Sequence, residues 1–436
     1  MAEKGIVKLH PKLAKWQSTL DKRLDLQSLI VQPSFKMEYI NTGSTVLNLL
    51  IGGSRLPDGS FVCPGWPKGT IIEIYGRESS GKSTIALTAM GQAIAQSDNA
   101  CGLYIDLEHG VRDHYAAKLG VDFRSPTLGG SGRAIRAAPH TFEETESLVD
   151  AAALNGVDMI VIDSVAGLVS RREARRDISD EEQKLGVAEI PRLMSGWMPK
   201  LQAIIARTKS CVIFLNQTRD KIGARGFSEE ALKSTTGGNA LKFWASVRMM
   251  LKPREMAKAK IWNPILKKSE EVPIATNIEV KNIKNKVDAR QGHSGLITLR
   301  YGIGIDELRT MMNVAEAYKI VSISKNKKKQ LIYTYKSPGT GAVIEELGIE
   351  KFRKHITQQD NKPLFEEFMG LCVDKIMQGF KAIDDEELAQ LAEDSIMKTL
   401  DDDDDYEDDG NIQILTPQEM DVEEEVQTSD INMNDL

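Results

Sequence analysis

The chain reads as an α/β protein with a mostly parallel central sheet flanked by helices, and three observations predict this. Between about residues 40 and 305, short β-branched runs alternate with stretches of helical periodicity. The runs are apolar nearly throughout, as strands covered on both faces must be. One of them leads straight into a glycine-rich loop that opens a helix. The same pattern places an N-terminal helical segment, a small C-terminal α+β domain and an acidic, disordered tail around this core.

Residues 1–40 form a short basic helical segment, Lys8 to Leu29, followed by an extended linker around Pro33. This is too little chain to bury a core of its own, so it packs on the rest of the chain or on a neighbouring copy. In the core, 41–305, the expected strands are 70–76, 101–108, 158–164 and 210–217. The runs 247–253, 276–285 and 295–302 alternate more and are expected as antiparallel additions at one sheet edge. Residues 306–382 make a smaller helix-rich unit with a Lys-rich, hairpin-like stretch at 325–336. From 383 onward one more helix is possible, but the run beginning at Asp401 is too charged to order alone.

The formal net charge of -7 conceals a division. Residues 383–436 hold 21 acidic residues and one basic residue, Lys398, a net of -20. Residues 1–382 hold 55 Lys and Arg against 42 Asp and Glu, a net of +13. A basic body with an acidic tail points to a polyanionic partner such as nucleic acid, with a plain solubilising tail as the competing reading. The four cysteines stand far apart without CxxC spacing, which excludes a zinc ribbon and a disulfide framework and fits a reducing compartment. No run of about 18 apolar residues and no secretory leader is present, so the expectation is a cytoplasmic protein without a membrane partner.

The segment Gly76-Arg77-Glu78-Ser79-Ser80-Gly81-Lys82-Ser83 matches GxxxxGK[ST] between an apolar strand and a helix. Glycines let backbone amides wrap a phosphate, Lys82 reaches the β and γ phosphates, and Ser83 offers a hydroxyl to Mg²⁺. Thr84 follows as the next residue of the cradle. Asp163, ending the strand 158–164, stands where an acid holds the water shell of that Mg²⁺. Glu108, one strand earlier, is the candidate general base. Asp106 lies within its strand and reads as structural, and His109 reads as a histidine that supports the site from behind or is merely packed, rather than as a catalyst.

With these residues in view, the core resembles the RecA family of homologous-recombination strand-exchange ATPases. The resemblance is carried, in order, by TGSTVLNLLIGG, IIEIYGRESSGKST, YIDLEHG, YAAKLGVD, VIDSVAGLV, FLNQTRDKIG, TTGGNALKFWASVR and VKNIKNK. It implies a RecA-type P-loop ATPase core using ATP and Mg²⁺. Such a core polymerises as a helical filament on single-stranded DNA, pairs it with homologous double-stranded DNA, and holds ATP between neighbouring subunits. It further implies that Glu108 is the base and that Gln217 senses the γ-phosphate. Lys284 and Lys286 then reach the neighbour's phosphates, Lys242 with Phe243 sits on that interface, and Tyr115 stacks on adenine. Taken alone, the lysines of KNIKNK alternate with polar residues as a solvent-facing strand does. Arg77 replaces a proline of the family pattern, and Arg112 an acidic residue.

Two long segments follow strands at the nucleotide edge, where a loop can couple phosphate occupancy to whatever it grips. The first opens with Arg171, Arg172, Arg175 and Arg176 and runs to Leu185. The second carries Arg219, Lys221, Ile222, Arg225 and Phe227. Cations for the backbone and apolar groups for bases are what single-strand binding needs. The resemblance makes these the two DNA loops and adds Arg192, Ser195, Gly237, Gly238 and Asn239, while Pro199 stands where a basic contact is expected. Single-strand-binding and loader proteins are possible partners. The competing functions are a RecA-like hexameric helicase or branch-migration ATPase, and a regulatory DNA-binding protein that binds nucleotide without turnover. The absence of a zinc ribbon argues against the first, and Glu108 with the paired lysines against the second.

Overall fold

The computed structural model describes Lys12 and residues 36–175, 189–220, 233–235 and 238–380, with backbone alone at 219–220 and 233–235. Apart from Lys12, the N-terminal segment expected as helix lies outside these residues, as does the acidic stretch 383–436. In chain order the core comprises β1 (Tyr39–Ile40), α1 (Thr45–Gly52), β2 (Trp66–Pro67), β3 (Ile71–Gly76), α2 (Lys82–Gln96), β4 (Gly102–Asp106) and α3 (Asp113–Lys118). It continues through β5 (Ala134–Ala137), α4 (Phe142–Leu154), β6 (Met159–Asp163), α5 (Arg171–Ala174), α6 (Glu189–Thr208), β7 (Cys211–Asp220), β8 (Lys233–Thr235) and α7 (Gly238–Trp244). The strands β9 (Val247–Asn263), β10 (Lys268–Asn285), β11 (Ser294–Arg300) and β12 (Gly304–Ile305) complete it.

The large sheet runs β12-β11-β10-β9-β3-β7-β6-β4-β5. It is parallel from β5 to β9 and antiparallel from β9 to β12. The apolar runs that define β3, β6 and β7 are buried on both faces, which their lack of alternation requires. One face, with Ile72, Ile74, Val161, Ile213 and Leu215, packs on Ile85 and Ala89 of α2. The other, with Ile71, Ile160, Val212 and Phe214, packs on α4 and α6. Helix α6 buries Met194, Trp197, Met198, Leu201 and Ile205, the three-to-four spacing of one apolar stripe, with Pro199 tolerated on the exposed side. Burying each large side chain of this kind contributes roughly 1.5–3 kcal/mol.

Two expectations need correction. Strand β9 pairs parallel with β3, Ile72 opposite Val247, and only its other edge is antiparallel. Helix α7 supplies the crossover that a parallel neighbour requires. Strands β9 and β10 also extend far past the runs 247–253 and 276–285. Their outer halves pair with each other, and among the described residues no third strand joins them. Both faces of that ribbon are exposed, so the alternation at 257–261 reports no buried face.

Beyond β12 come α8 (Glu307–Ala317), an antiparallel sheet of β13 (Val321–Lys325), β14 (Leu331–Lys336) and β15 (Val343–Leu347), then α9 (Ile349–Ile356) and α10 (Lys362–Gly379). Asp306 caps α8 by accepting from Arg309 N at 3.0 Å and receives a bidentate pair from Arg353 of α9, both contacts 2.9 Å. That one carboxylate ties the start of this region to a helix 47 residues on.

Candidate active site

Strand β3 delivers the chain into the loop Gly76–Gly81 at the carboxyl edge of the sheet, and α2 begins at Lys82. The geometry demands glycine at two points. A Cβ on Gly76 would stand 2.6 Å from Leu251 O, and Gly81, at φ +88°, would drive one to 2.2 Å from Leu299 Cδ1. Ser79 is also left-handed, at φ +58°. The amino end of α2, a fifteen-residue helix, therefore faces a cleft with its free amides and positive dipole end, a ready anion cradle.

The cleft, about 350 Å³, is lined by Glu78 to Thr84, Glu108, Tyr115, Asp163 and Gln217. It thus brings together residues that the sequence singles out from five places, the loop with α2, the turn after β4, α3, β6 and β7, while Gly76 and Arg77 lie outside its lining. Its remaining wall is Thr276 of β10, Leu299 and Arg300 at the end of β11, and Tyr301 and Gly302 in the turn after it, which the sequence marks only as edge strands. The one local signal was an aromatic and a glycine directly after the strand.

The hydrogen bonds inside the cleft are specific. Lys82 Nζ donates to Arg77 O at 2.8 Å and Gly76 O at 3.4 Å, which holds the ammonium inside the loop. Burial lowers its pKa, opposed by the carboxylates of Asp163, Glu108 and Glu78. Ser83 Oγ donates to Asp163 Oδ2 at 2.6 Å. Burial raises the Asp163 pKa, and donation from Ser83 and Tyr104 pulls it back. A hydroxyl and a carboxylate at this spacing, open to a cleft with room for waters, suit Mg²⁺, which prefers few protein oxygens and keeps much of its hydration. Glu108 Oε1 accepts from Gln217 Nε2 at 2.9 Å and, in a very short contact, from Ser164 Oγ. Tyr115 OH meets Thr84 Oγ1 at 2.9 Å, so its ring borders the cleft. Asp106 accepts from Gly110 N at 3.1 Å and Val111 N at 3.4 Å, a structural role in the turn behind Glu108. His109 is exposed at φ +52°, so it is not a packed residue.

Lys242, Phe243, Lys284 and Lys286 do not line this cleft. They meet on a different surface. Lys284 Nζ donates to Lys242 O at 2.8 Å and Phe243 O at 2.7 Å, and both Lys284 and Lys286 stand 6.0 Å from the centre of the Phe243 ring. That ring is 70% exposed, so the cluster presents two cations around an accessible aromatic.

Of the proposed DNA contacts, Arg171, Arg172 and Arg175 are exposed on and just after α5, whose start Ser170 caps by accepting from Glu173 N at 3.0 Å. Arg192 and Ser195 are exposed on α6, although the Ser195 hydroxyl is occupied by Pro191 O at 2.8 Å. Gly238 opens α7 at φ +73°, where a Cβ would stand 2.9 Å from Pro191 Cβ. That close approach brings Gly238 and exposed Asn239 beside the start of α6. Arg219 lies in β7, which continues past the expected end at 217 and pairs with β8, Arg219 opposite Ser234. Arg176, Leu185, Lys221, Ile222, Arg225, Phe227 and Gly237 lie outside the described residues.

Among the described residues no helix is long and apolar enough to cross a membrane. The RecA N-terminal domain model matches residues 26–306. The proteins named RecA from Streptococcus pneumoniae strains Hungary19A-6, CGSP14 and G54 are each 33% identical over 361 residues, covering 81% of this chain and 79% of the relative. A family-model match over more than half the chain, together with relatives aligned along most of their own length, places the sheet, the cleft and the sequence order of their residues in one lineage of recombination and repair proteins: the chain belongs to the RecA family.

Proposed function

We propose that this protein is a DNA-dependent ATPase that forms helical filaments on single-stranded DNA and catalyses homologous pairing and strand exchange. The observation that carries the reading is the Glu108–Gln217 hydrogen bond in the cleft, because Gln217 sits on the strand that leads into the second DNA segment. Nucleotide occupancy and DNA engagement thereby share one strand.

ATP is the substrate, with its phosphates on the loop amides and the Lys82 ammonium. Ser83 and Asp163 would hold Mg²⁺, which would offset phosphate charge. Glu108 takes a proton from the attacking water as general base. Gln217 and Ser164 orient that carboxylate by donating to it, so withdrawal of Gln217 toward a γ-phosphate changes both the base and the backbone that follows β7. Lys284 and Lys286 act on a neighbouring subunit's phosphates, which accords with their position away from their own chain's cleft.

The deciding experiment is ATP hydrolysis with Mg²⁺, with and without single-stranded DNA. Strong stimulation by single strands is expected, with filaments visible by electron microscopy. Hydrolysis indifferent to DNA would remove the coupling through Gln217, and rings in place of filaments would favour a helicase.

A further inference from the structure

Tyr104 lies in the middle of β4 and is fully buried. Strand β4 pairs with β6 so that Tyr104 stands opposite Val161 and Asp106 opposite Asp163. Side chains two apart share a sheet face, so Tyr104 is on the same face as Asp163, one step short of it. Its hydroxyl crosses that step and donates to Asp163 Oδ2 at 2.6 Å, the oxygen that also accepts from Ser83 Oγ. The ring meets Phe123 edge-on, centroids 6.1 Å apart, within the core. A phenylalanine would fill the same space, and a buried hydroxyl is costly unless bonded. Here the bond is spent on the one carboxylate placed at the candidate cation position.

We propose that Tyr104 is a positioning residue for the divalent cation of the nucleotide site. Two donors converging on Oδ2 fix the Asp163 side chain in one rotamer and leave Oδ1 for the water shell of the metal. Asp163 is thus set before the cation arrives, and the cost of ordering it is met in folding. The inference rests on the reading of the cleft as a Mg²⁺·nucleotide site.

The test is binding of a fluorescent ATP analogue, followed by anisotropy while free Mg²⁺ is titrated, on the full chain and on Tyr104→Phe. The Mg²⁺ midpoint is expected to rise by about 10-fold in the variant, the size typical of losing a partner that orients a metal ligand. Binding in EDTA and the melting temperature should stay close to wild type. In an Asp163→Asn background the same substitution should add no further shift, since the hydroxyl acts only through that carboxylate. An unchanged midpoint, an equal loss with and without Mg²⁺, a full additional shift in the Asp163→Asn background, or loss of the fold would each overturn the proposal. Wild-type binding that ignores Mg²⁺ would instead overturn the reading of the site itself.

Discussion

The cleft at the carboxyl ends of β3, β6 and β7 and the lysine cluster on Phe243 differ first in how their charges are held. In the cleft, Asp163 and Glu108 each accept from two side-chain donors, and Lys82 is tied to two carbonyls of its own loop. Asp163 and Lys82 are thus held in place at buried strand and helix ends, whereas the exposed Glu108–Gln217 bond is the one left able to change. On the other surface, Lys284 donates to carbonyls and Lys286 leans on the same exposed ring, with like charge gathered together. Burial lowers the Lys284 pKa, and the neighbouring Lys286 and Arg248 lower it further against the pull of Glu73. A cluster that gathers cations in this way favours an anion beside it, and the chain's own cleft lies elsewhere. The difference is that the groups of the cleft are bonded to one another within the chain, whereas the lysines gather around an exposed ring, where the proposed function has them meet another copy.

Removing the base should have the largest effect. Glu108→Gln is expected to lower ATP turnover by about 10²–10⁴-fold while nucleotide and DNA binding persist, measured by steady-state hydrolysis and by filter binding. Full turnover in this variant would move the base elsewhere and break the account of the cleft. Lys284→Ala should lower DNA-stimulated turnover by about 10²–10³-fold, as loss of a transition-state donor does. The sharper form of this experiment mixes inactive Lys284→Ala with inactive Lys82→Ala protein. Activity should reappear in the mixture, because one variant supplies an intact loop and the other an intact lysine. No recovery would mean that the cluster serves its own chain.

A structural tie joins the two regions and predicts a stability effect. Glu73, fully buried beneath the loop in β3, accepts from Asn216 Nδ2 at 2.9 Å and from Arg248 Nε at 2.5 Å. Arg248 in turn is one of the charges that reach Lys284. Glu73→Ala strands a nearly buried guanidinium, so a loss of about 3–5 kcal/mol in urea unfolding is expected. A smaller loss would mean that water takes the place of the carboxylate. The smallest effect is on pH dependence. With its pKa lowered, Lys284 loses its proton below the ordinary value of 10.5, so its contribution to turnover should fade on the alkaline side before that of an unperturbed lysine. Between the lowered value and 10.5 the folded chain binds fewer protons than the unfolded one, so this group's contribution to stability rises with pH across that window. Lys284→Arg should push the alkaline limb of the rate profile upward, since a guanidinium does not titrate there.

Much of the cleft was legible in the sequence because its parts are short and local. The loop Gly76–Ser83 is a contiguous motif, and Glu108, Asp163 and Gln217 each stand at or just past the end of an apolar run, so parallel strand order alone carries them to one edge. The turn Arg300 to Gly302 was missed because its place in the cleft depends on β11 folding back beside the loop, which no local pattern reports. The long ribbon of β9 and β10 was missed for a related reason. Its outer halves are exposed on both faces, so no buried side marks them in the sequence. The parallel setting of β9 was misread because its more alternating composition matches an antiparallel neighbour, whereas α7 decides the direction.

The sequence by itself determined the sheet, the phosphate loop, the acids around it and the opposition of a basic body to an acidic tail, since each depends on residue type and on spacing within a few tens of residues. Only the tertiary structure decided that Tyr104 reaches Asp163, that Glu73 joins Asn216 to Arg248, and that Lys284 and Lys286 face away from their own cleft. Those facts depend on strand register and sheet order, which bring together residues 59, 143 and 175 positions apart. The energy that selects a register is spread over the whole core and is written in no single segment.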